Sequence, residues 1–337
     1  MSGAKGVEIH DIFGASQPLT KLIETAGQAI GEWYKPIGVK RMAKAKTAEL
    51  QIIGEALGDN IHLPTKYDDG KLTMSTQDFE ELAKRTGNRL MYQELRKQQN
   101  IESIVELAGA ELEKEETVSD EPVDPDWTIR FFNSVEDVSN EEMQKLWGRV
   151  LAGEVKRPES FSIRTLEILK NMSQAEAMIF QKLASYCLVT RKDICLSSDT
   201  NLLREHGLAY IDILNTEDCG LLQSQSGMVL IMNFKNESSF YIHNKSVLGH
   251  ISPANEETKR FDLPVYRLTG SGEELYNIIK SSPNNSYFLD FWKHIRKKEK
   301  NLKVSVHKIE AFYYDGRAKY FPPDILPPQD DHTEVTS

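Results

Sequence analysis

The run whose residue types most directly suggest a chemistry is Lys293-His-Ile-Arg-Lys-Lys298, which follows Trp292 and continues to Lys300 and Lys303. Clustered cations at a helix end can neutralise phosphates, so Lys293, Arg296, Lys297, Lys298, Lys300 and Lys303 are candidate nucleic-acid contacts. The plainer reading of the same run is a solvated helix C-terminus whose lysines complement the helix dipole. The eight histidines are scattered, and none stands three or four residues from a cysteine or another histidine, as a zinc site would need. His243 and His250 lie close in sequence in a strand–loop region, which is weak evidence for a metal. No P-loop, dinucleotide-binding glycine fingerprint, H-E-x-x-H or G-x-S-x-G occurs. Gly270-Ser-Gly272 at a helix start reads as a turn rather than an anion site. The 51 Asp and Glu residues offer many carboxylates that sequence alone cannot pair. The expectation is a non-enzymatic protein with no cofactor and no metal.

A second candidate surface lies near the N-terminus. Leu19, Leu22, Ile23, Ala26, Ile30, Trp33 and Ile37 recur at spacings of three and four, an apolar helical stripe. Gly27 and Gly31 form a G-x-x-x-G within it, and Pro36 and Gly38 break the run before a basic helix from about Val39 to Leu57. An amphipathic stripe carrying Trp33 and Tyr34 beside Lys40, Arg41 and Lys44 has the composition of a membrane-surface or association element. Leu19, Leu22, Ile23, Ile30, Trp33, Tyr34, Lys40, Arg41 and Lys44 are its candidate residues. A stripe of this width is also what any core-facing helix shows.

These two surfaces must be positioned by the elements between them. Residues 1–15 read as a loose arm and 16–114 as a helical region. Its long helix, from Thr76 to Leu112, is expected to bend or break at Gln98-Gln-Asn100. From 115 to 125 the chain is acidic and carries Pro122 and Pro125, the marks of an extended, mobile linker. Residues 126–188 read as a central helical bundle. Ser139-Asn-Glu-Glu142 and Ser173-Gln-Ala-Glu176 are spaced as capping boxes, where a serine oxygen and a glutamate satisfy each other's free amides. Ser271 to Glu274 is spaced in the same way. Residues 189–321 alternate short helices with strand-like runs and read as an α+β domain of winged-helix-like type. The Pro-rich, acidic stretch 322–337 reads as disordered. The fold class expected is therefore mainly α, with N-terminal and central helical bundles and an α+β C-terminal domain.

Bulk composition narrows the class further. The formal net charge of -10 places any nucleic-acid site in a local basic patch rather than over the whole surface. Three cysteines without C-x-x-C spacing suit free thiols in a reducing compartment. No apolar run approaches the roughly 18 residues of a membrane span, and MSGAKGVEIHDIF lacks the pattern of a secretory signal. The location expected is cytoplasmic, with peripheral contact at the inner membrane.

Three stretches carry a family likeness: Pro18 to Ala48, Leu146 to Glu154 (LWGRVLAGE) with Pro158 to Ile168, and Tyr210 to Leu222 with Leu268 to Leu275. In order and spacing the chain resembles a family of uncharacterised bacterial proteins and, more distantly, the abortive infection alpha proteins. That resemblance implies a role in phage defence through protein association or membrane contact. It also implies a homo-oligomer and a phage or host protein trigger, and brings no catalytic residues with it. The alternative is a DNA-binding regulator that uses the C-terminal domain.

Overall fold

The computed structural model describes residues 16–30, 66–68, 71–73, 76–235, 237–313 and 317–326, with the backbone alone given for 66–80. The chain divides into two compact units, Met1–Leu166 and Glu167–Ser337. The division falls inside the stretch 126–188 that reads as one bundle in sequence.

The described part of the first unit is helical: α1 (Gln17–Ile30), α2 (Thr76–Leu112), α3 (Pro125–Val135), α4 (Glu141–Lys156) and the start of α5 (Ile163–Asn171), with a small hairpin of β1 (Lys66–Asp68) and β2 (Lys71–Thr73). The 37-residue α2 is unbroken. Asn100, expected to interrupt it, is buried and turns its side chain outward from the helix: Nδ2 donates to the Glu136 carbonyl at 2.8 Å, closing the end of α3. Beyond Asn100, Ile101, Ile104, Val105, Ala108 and Leu112 are buried at helical spacing. They pack chiefly on α4, whose Trp147, Val150 and Leu151 are fully enclosed. Gly148 permits this approach, because a Cβ there would stand 2.8 Å from Leu107 Cβ. Trp127, Phe131 and Trp147 continue the core as a chain of rings with centroids 5.2 and 5.4 Å apart.

The LWGRVLAGE motif is structural. Glu154 is 1% exposed, and its carboxylate accepts the amides of Glu159 (2.7 Å) and Phe161 (3.0 Å). Those bonds hold the turn after α4, in which Glu159 adopts a left-handed conformation (φ 66°). The Phe161 ring then lies over Gly153, and the Phe161 carbonyl accepts the Trp127 indole N–H at 2.8 Å. The acidic run 115–125 is also packed. Val118 and Val123 are buried, Ser119 N–H donates to the Lys156 carbonyl, and Asp124 caps α3 through the Trp127 amide. Two apolar anchors and local capping override the charge repulsion that suggested a linker. The helix start expected at Ser139 lies one residue later, where Asn140 Oδ1 accepts the Met143 amide. The Ser173 box forms in full at α6 (Gln174–Ala184).

The second unit is α+β. In chain order it contains the rest of α5, α6, β3 (Leu188–Val189), β4 (Ile194–Ser197), α7 (Thr200–Glu205), α8 (Tyr210–Asp218), β5 (Leu222–Gln223), β6 (Val229–Asn233), β7 (Phe240–His243), β8 (Val247–Pro253), β9 (Arg260–Leu268), α9 (Gly270–Ile278), α10 (Asn285–Lys298), β10 (Leu302–Phe312) and β11 (Ala318–Tyr320). Nine strands form an antiparallel sheet in the order β11-β10-β8-β7-β3-β4-β9-β5, with β6 also on β9. Thr269, not Ser271, caps α9, its hydroxyl accepting the Gly272 amide at 3.1 Å. Helix α10 covers one face of the sheet: Tyr287, Phe288, Phe291 and Trp292 are buried, and the Trp292 ring fills the space over Gly249.

The start of the stretch read as a disordered tail is docked on β10. Ile325 N–H donates to the Val306 carbonyl (2.8 Å), Val306 N–H donates to Asp324 Oδ1 (2.9 Å), and Leu326 is buried. Residues 327–337 and the expected N-terminal arm lie outside the described residues.

Candidate functional site

Side chains alternate between the two faces of a strand, so the register fixes which residues share a face. Ile242, Gly249 and Val306 stand in one row across β7, β8 and β10, beneath Trp292 of α10. Their neighbours therefore occupy the opposite face. One row there is Tyr241, His250 and Ser305, and the next is His243, Leu248 and His307. Lys303 opposite Ser252 precedes the first row, and Ile309 opposite Tyr320 follows the second. No acidic residue occurs in these four rows.

The rings meet in pairs. Tyr241 and His250 are stacked at 4.8 Å with planes 27° apart; His243 lies 5.0 Å from Phe312, and His307 lies 4.8 Å from Tyr320. Tyr241 is 47% and Phe312 43% exposed, whereas His307 is buried. His307 Nδ1 and Nε2 stand 3.2 Å from the Pro323 carbonyl and 2.8 Å from Ser305 Oγ. Burial, reinforced by Lys245, pushes the His243 imidazole down to about 4. Its Nδ1 accepts the Lys245 amide at 3.1 Å, an arrangement open only to the neutral ring. Burial and then the neighbouring His307 also lower His250. At neutral pH His243 is thus an uncharged plate, and His250 is shifted in the same direction. The Asn244-Lys-Ser turn that ends β7 places Lys245 at φ 76°, with Asn244 Oδ1 accepting the Ser246 and Val247 amides.

The basic cluster runs from the end of α10, the helix on the opposite face, into β10. Lys297 and Lys298 end α10, Lys300 lies in the turn, and Lys303 is on the ring-bearing side of β10. All four are exposed and form no ion pair among the described residues. Lys293 is paired with Asp290 at 2.8 Å. Arg296 is committed to the fold: its guanidinium donates to the Val304 carbonyl at 3.0 and 2.7 Å and pairs with Asp324. The structure therefore leaves four of the six candidate cations exposed and without an ion pair among the described residues. The lysines are legible in the sequence as a run, whereas the rings are not. The signal was present as period-two alternation, Tyr241-x-His243, His250-x-Ser252 and Lys303-x-Ser305-x-His307.

Of the N-terminal candidates, Leu19, Leu22, Ile23 and Ile30 lie on the described α1. Leu22 and Ala26 are buried within the first unit, where α1 packs on α2, α3 and α4. Leu19, Ile23 and Ile30 are half-buried. Trp33, Tyr34, Lys40, Arg41 and Lys44 lie outside the described residues. A polar recess of about 290 Å³ separates α1 from the strap at Ser119–Val123. The Lys21 ammonium spans it, donating to the Ser119 carbonyl at 2.5 Å, and Gln17 Nε2 donates to Asp120 at 2.8 Å. Cys187 and Cys195 are free and buried, and burial pushes the Cys195 thiol up to about 12. That environment suits packing rather than nucleophilic chemistry. Among the described residues, no group of three or more His, Cys, Asp or Glu side chains is arranged to hold a metal ion. Nor is any helix among them long and apolar enough to cross a membrane.

The model of a protein family of unknown function, DUF2806, matches residues 84–291. The chain belongs to this family. The DUF2806 stretch runs from within α2 to Phe291 of α10, so it includes the buried turn at Glu154 and the rings of Tyr241, His243 and His250. The basic cluster and the β10–β11 rings follow it in sequence. No curated protein and no solved structure matches the chain.

Proposed function

We propose that this protein is a non-enzymatic nucleic-acid-binding protein whose second unit is the recognition module. One observation carries the reading: four exposed lysines, free of ion pairs among the described residues, cluster at the end of α10 and the start of β10, where Lys303 shares a sheet face with the exposed Tyr241 ring and no acidic side chain in its rows. Between Asp290 and Tyr320 the sequence holds nine Lys or Arg residues and four Asp or Glu residues, so this region is basic in an acidic protein. We place the ligand on the sheet rather than on a helix of a winged-helix-like module. The phage-defence role implied by the resemblance supplies a setting in which nucleic acid would be the sensed species.

The test is fluorescence anisotropy of labelled oligonucleotides with the full-length protein over a range of salt. Four phosphate contacts predict a slope of log K against log salt of about −3 to −4. Lys297→Gln with Lys298→Gln should weaken binding and make the slope shallower by roughly 1 to 2. Absence of binding at low salt would overturn the reading.

A second reading concerns self-association. Leu82, Met91, Tyr92 and Leu95 are exposed on the N-terminal half of α2. Exposed apolar side chains on an otherwise charged helix favour contact with a second copy of the chain. Sedimentation equilibrium would test this: Tyr92→Glu with Leu95→Glu should shift an oligomer to monomer, and a wild-type monomer would exclude it.

A further inference from the structure

Given the nucleic-acid reading above, we infer that the ligand is a single strand whose unpaired bases stack on the ring-bearing face of β7, β8, β10 and β11. A duplex buries its base faces and presents phosphates and groove edges, so flat exposed rings add little to duplex binding. A single strand can splay its bases onto aromatic platforms while cations follow its backbone. This face offers both parts. Tyr241 lies stacked with His250 at one position, and Phe312 lies against His243 at another. Tyr241 and Phe312 are each more than two-fifths exposed, so each retains surface for a further planar group.

Neighbouring strands are about 4.8 Å apart, so the three ring pairs stand side by side on β7, β8, β10 and β11 rather than as isolated side chains. The backbone-binding part lies at one margin. Lys303 shares the face, and Lys297, Lys298 and Lys300 stand at the turn leading into its strand. Ser252 and Ser305 line the intervening surface and can hydrogen-bond base edges or sugar hydroxyls. The absence of carboxylates from the rows removes the repulsion that would otherwise oppose a polyanion. Glu310, the nearest acidic residue in β10, is paired with Lys319 at 2.9 Å.

The experiment compares labelled single-stranded DNA, single-stranded RNA and a duplex of the same base composition, using the full-length protein at fixed salt. Single strands should bind at least about tenfold tighter than duplex. Tyr241→Ala and Phe312→Ala should each weaken single-strand binding by about five- to a hundredfold, with the salt slope unchanged. Tyr241→Phe keeps the ring and should bind as the wild type does. Tyr241→Leu keeps apolar bulk on the sheet but should not restore affinity, which separates lost stacking from lost folding. A DNA or RNA preference identifies the source of the strand and supports the inference either way. Duplex binding as tight as single-strand binding, with the ring variants indistinguishable from wild type, would overturn this inference while leaving the nucleic-acid reading intact. Failure of every oligonucleotide to bind at low salt would overturn both.

Discussion

Replacing Gly249 by alanine tests the packing that holds the basic turn against the sheet. A Cβ at this position would lie 2.1 Å from Trp292 Cε2, 2.2 Å from Cζ2 and 2.5 Å from Nε1. Carbon atoms in ordinary contact stand about 3.5–4.0 Å apart, so the indole or the strand must move by about 1 Å or more. The ring has nowhere open to go. Trp292 is fully buried and lies edge-on to Phe291 and Phe288, with centroids 5.0 and 5.9 Å away. Overpacking of this kind costs about 1–3 kcal/mol, and the absence of slack places Gly249→Ala near about 2–3.

For a unit of this size, each kcal/mol lowers the melting temperature by roughly 2–4 °C. Circular dichroism and tryptophan fluorescence should therefore show a fall of about 4–12 °C. The decisive control is Trp292→Phe. It vacates part of the same space, so the double variant should be more stable than the sum of the two penalties predicts by about 1 kcal/mol or more. A Gly249→Ala protein that melts with the wild type, or penalties that simply add, would refute the packing argument.

Three further outcomes follow from the structure. Glu154→Gln leaves one of two buried amides facing an amide group instead of an oxygen, and should destabilise the first unit by about 2–4 kcal/mol in urea unfolding; an unchanged midpoint would show that the turn does not depend on the carboxylate. His243 is held near 4 in the fold against about 6.5 when unfolded. The unfolded chain therefore binds the proton first, and stability should fall by up to about 3 kcal/mol as pH drops from about 6.5 to about 4. His243→Gln should remove that share of the pH dependence, and an identical pH profile would contradict it. Leu22→Ala should cost about 2–4 kcal/mol, because the side chain is buried where α1 packs on its neighbours; a negligible effect would return this stripe to the role of an external contact surface.

Local signals account for what could be read before the structure. The box at Ser173, the long helix to Leu112 and the strand from Leu302 depend on near neighbours, and each is legible in period and capping. The acidic strap reads as a linker because five carboxylates within residues 115–125 signal extension, while Val118 and Val123, which pin it, are only two residues. Asn100 misled in the same way: a polar residue in mid-helix reads as a break unless its tertiary partner, the Glu136 carbonyl, is known. The basic run was visible as composition, but the separation of Arg296 from its lysine neighbours required the position of Asp324 and Val304. The ring-lined face was hidden most deeply. Tyr241, His250, His307 and Phe312 are spread over some 70 residues, and only strand register assembles them.

The claim that matters most is that the ring-lined face and the lysine turn form one nucleic-acid surface. Its most direct test is ultraviolet crosslinking of a photoreactive single strand to the full-length protein, followed by mass spectrometry of the adducted peptides. The account predicts adducts on the peptides carrying Tyr241, His250 and Phe312, lost by competition with unlabelled single strand. Adducts confined to the first unit, or to helices α6 and α8 of the second, would contradict it.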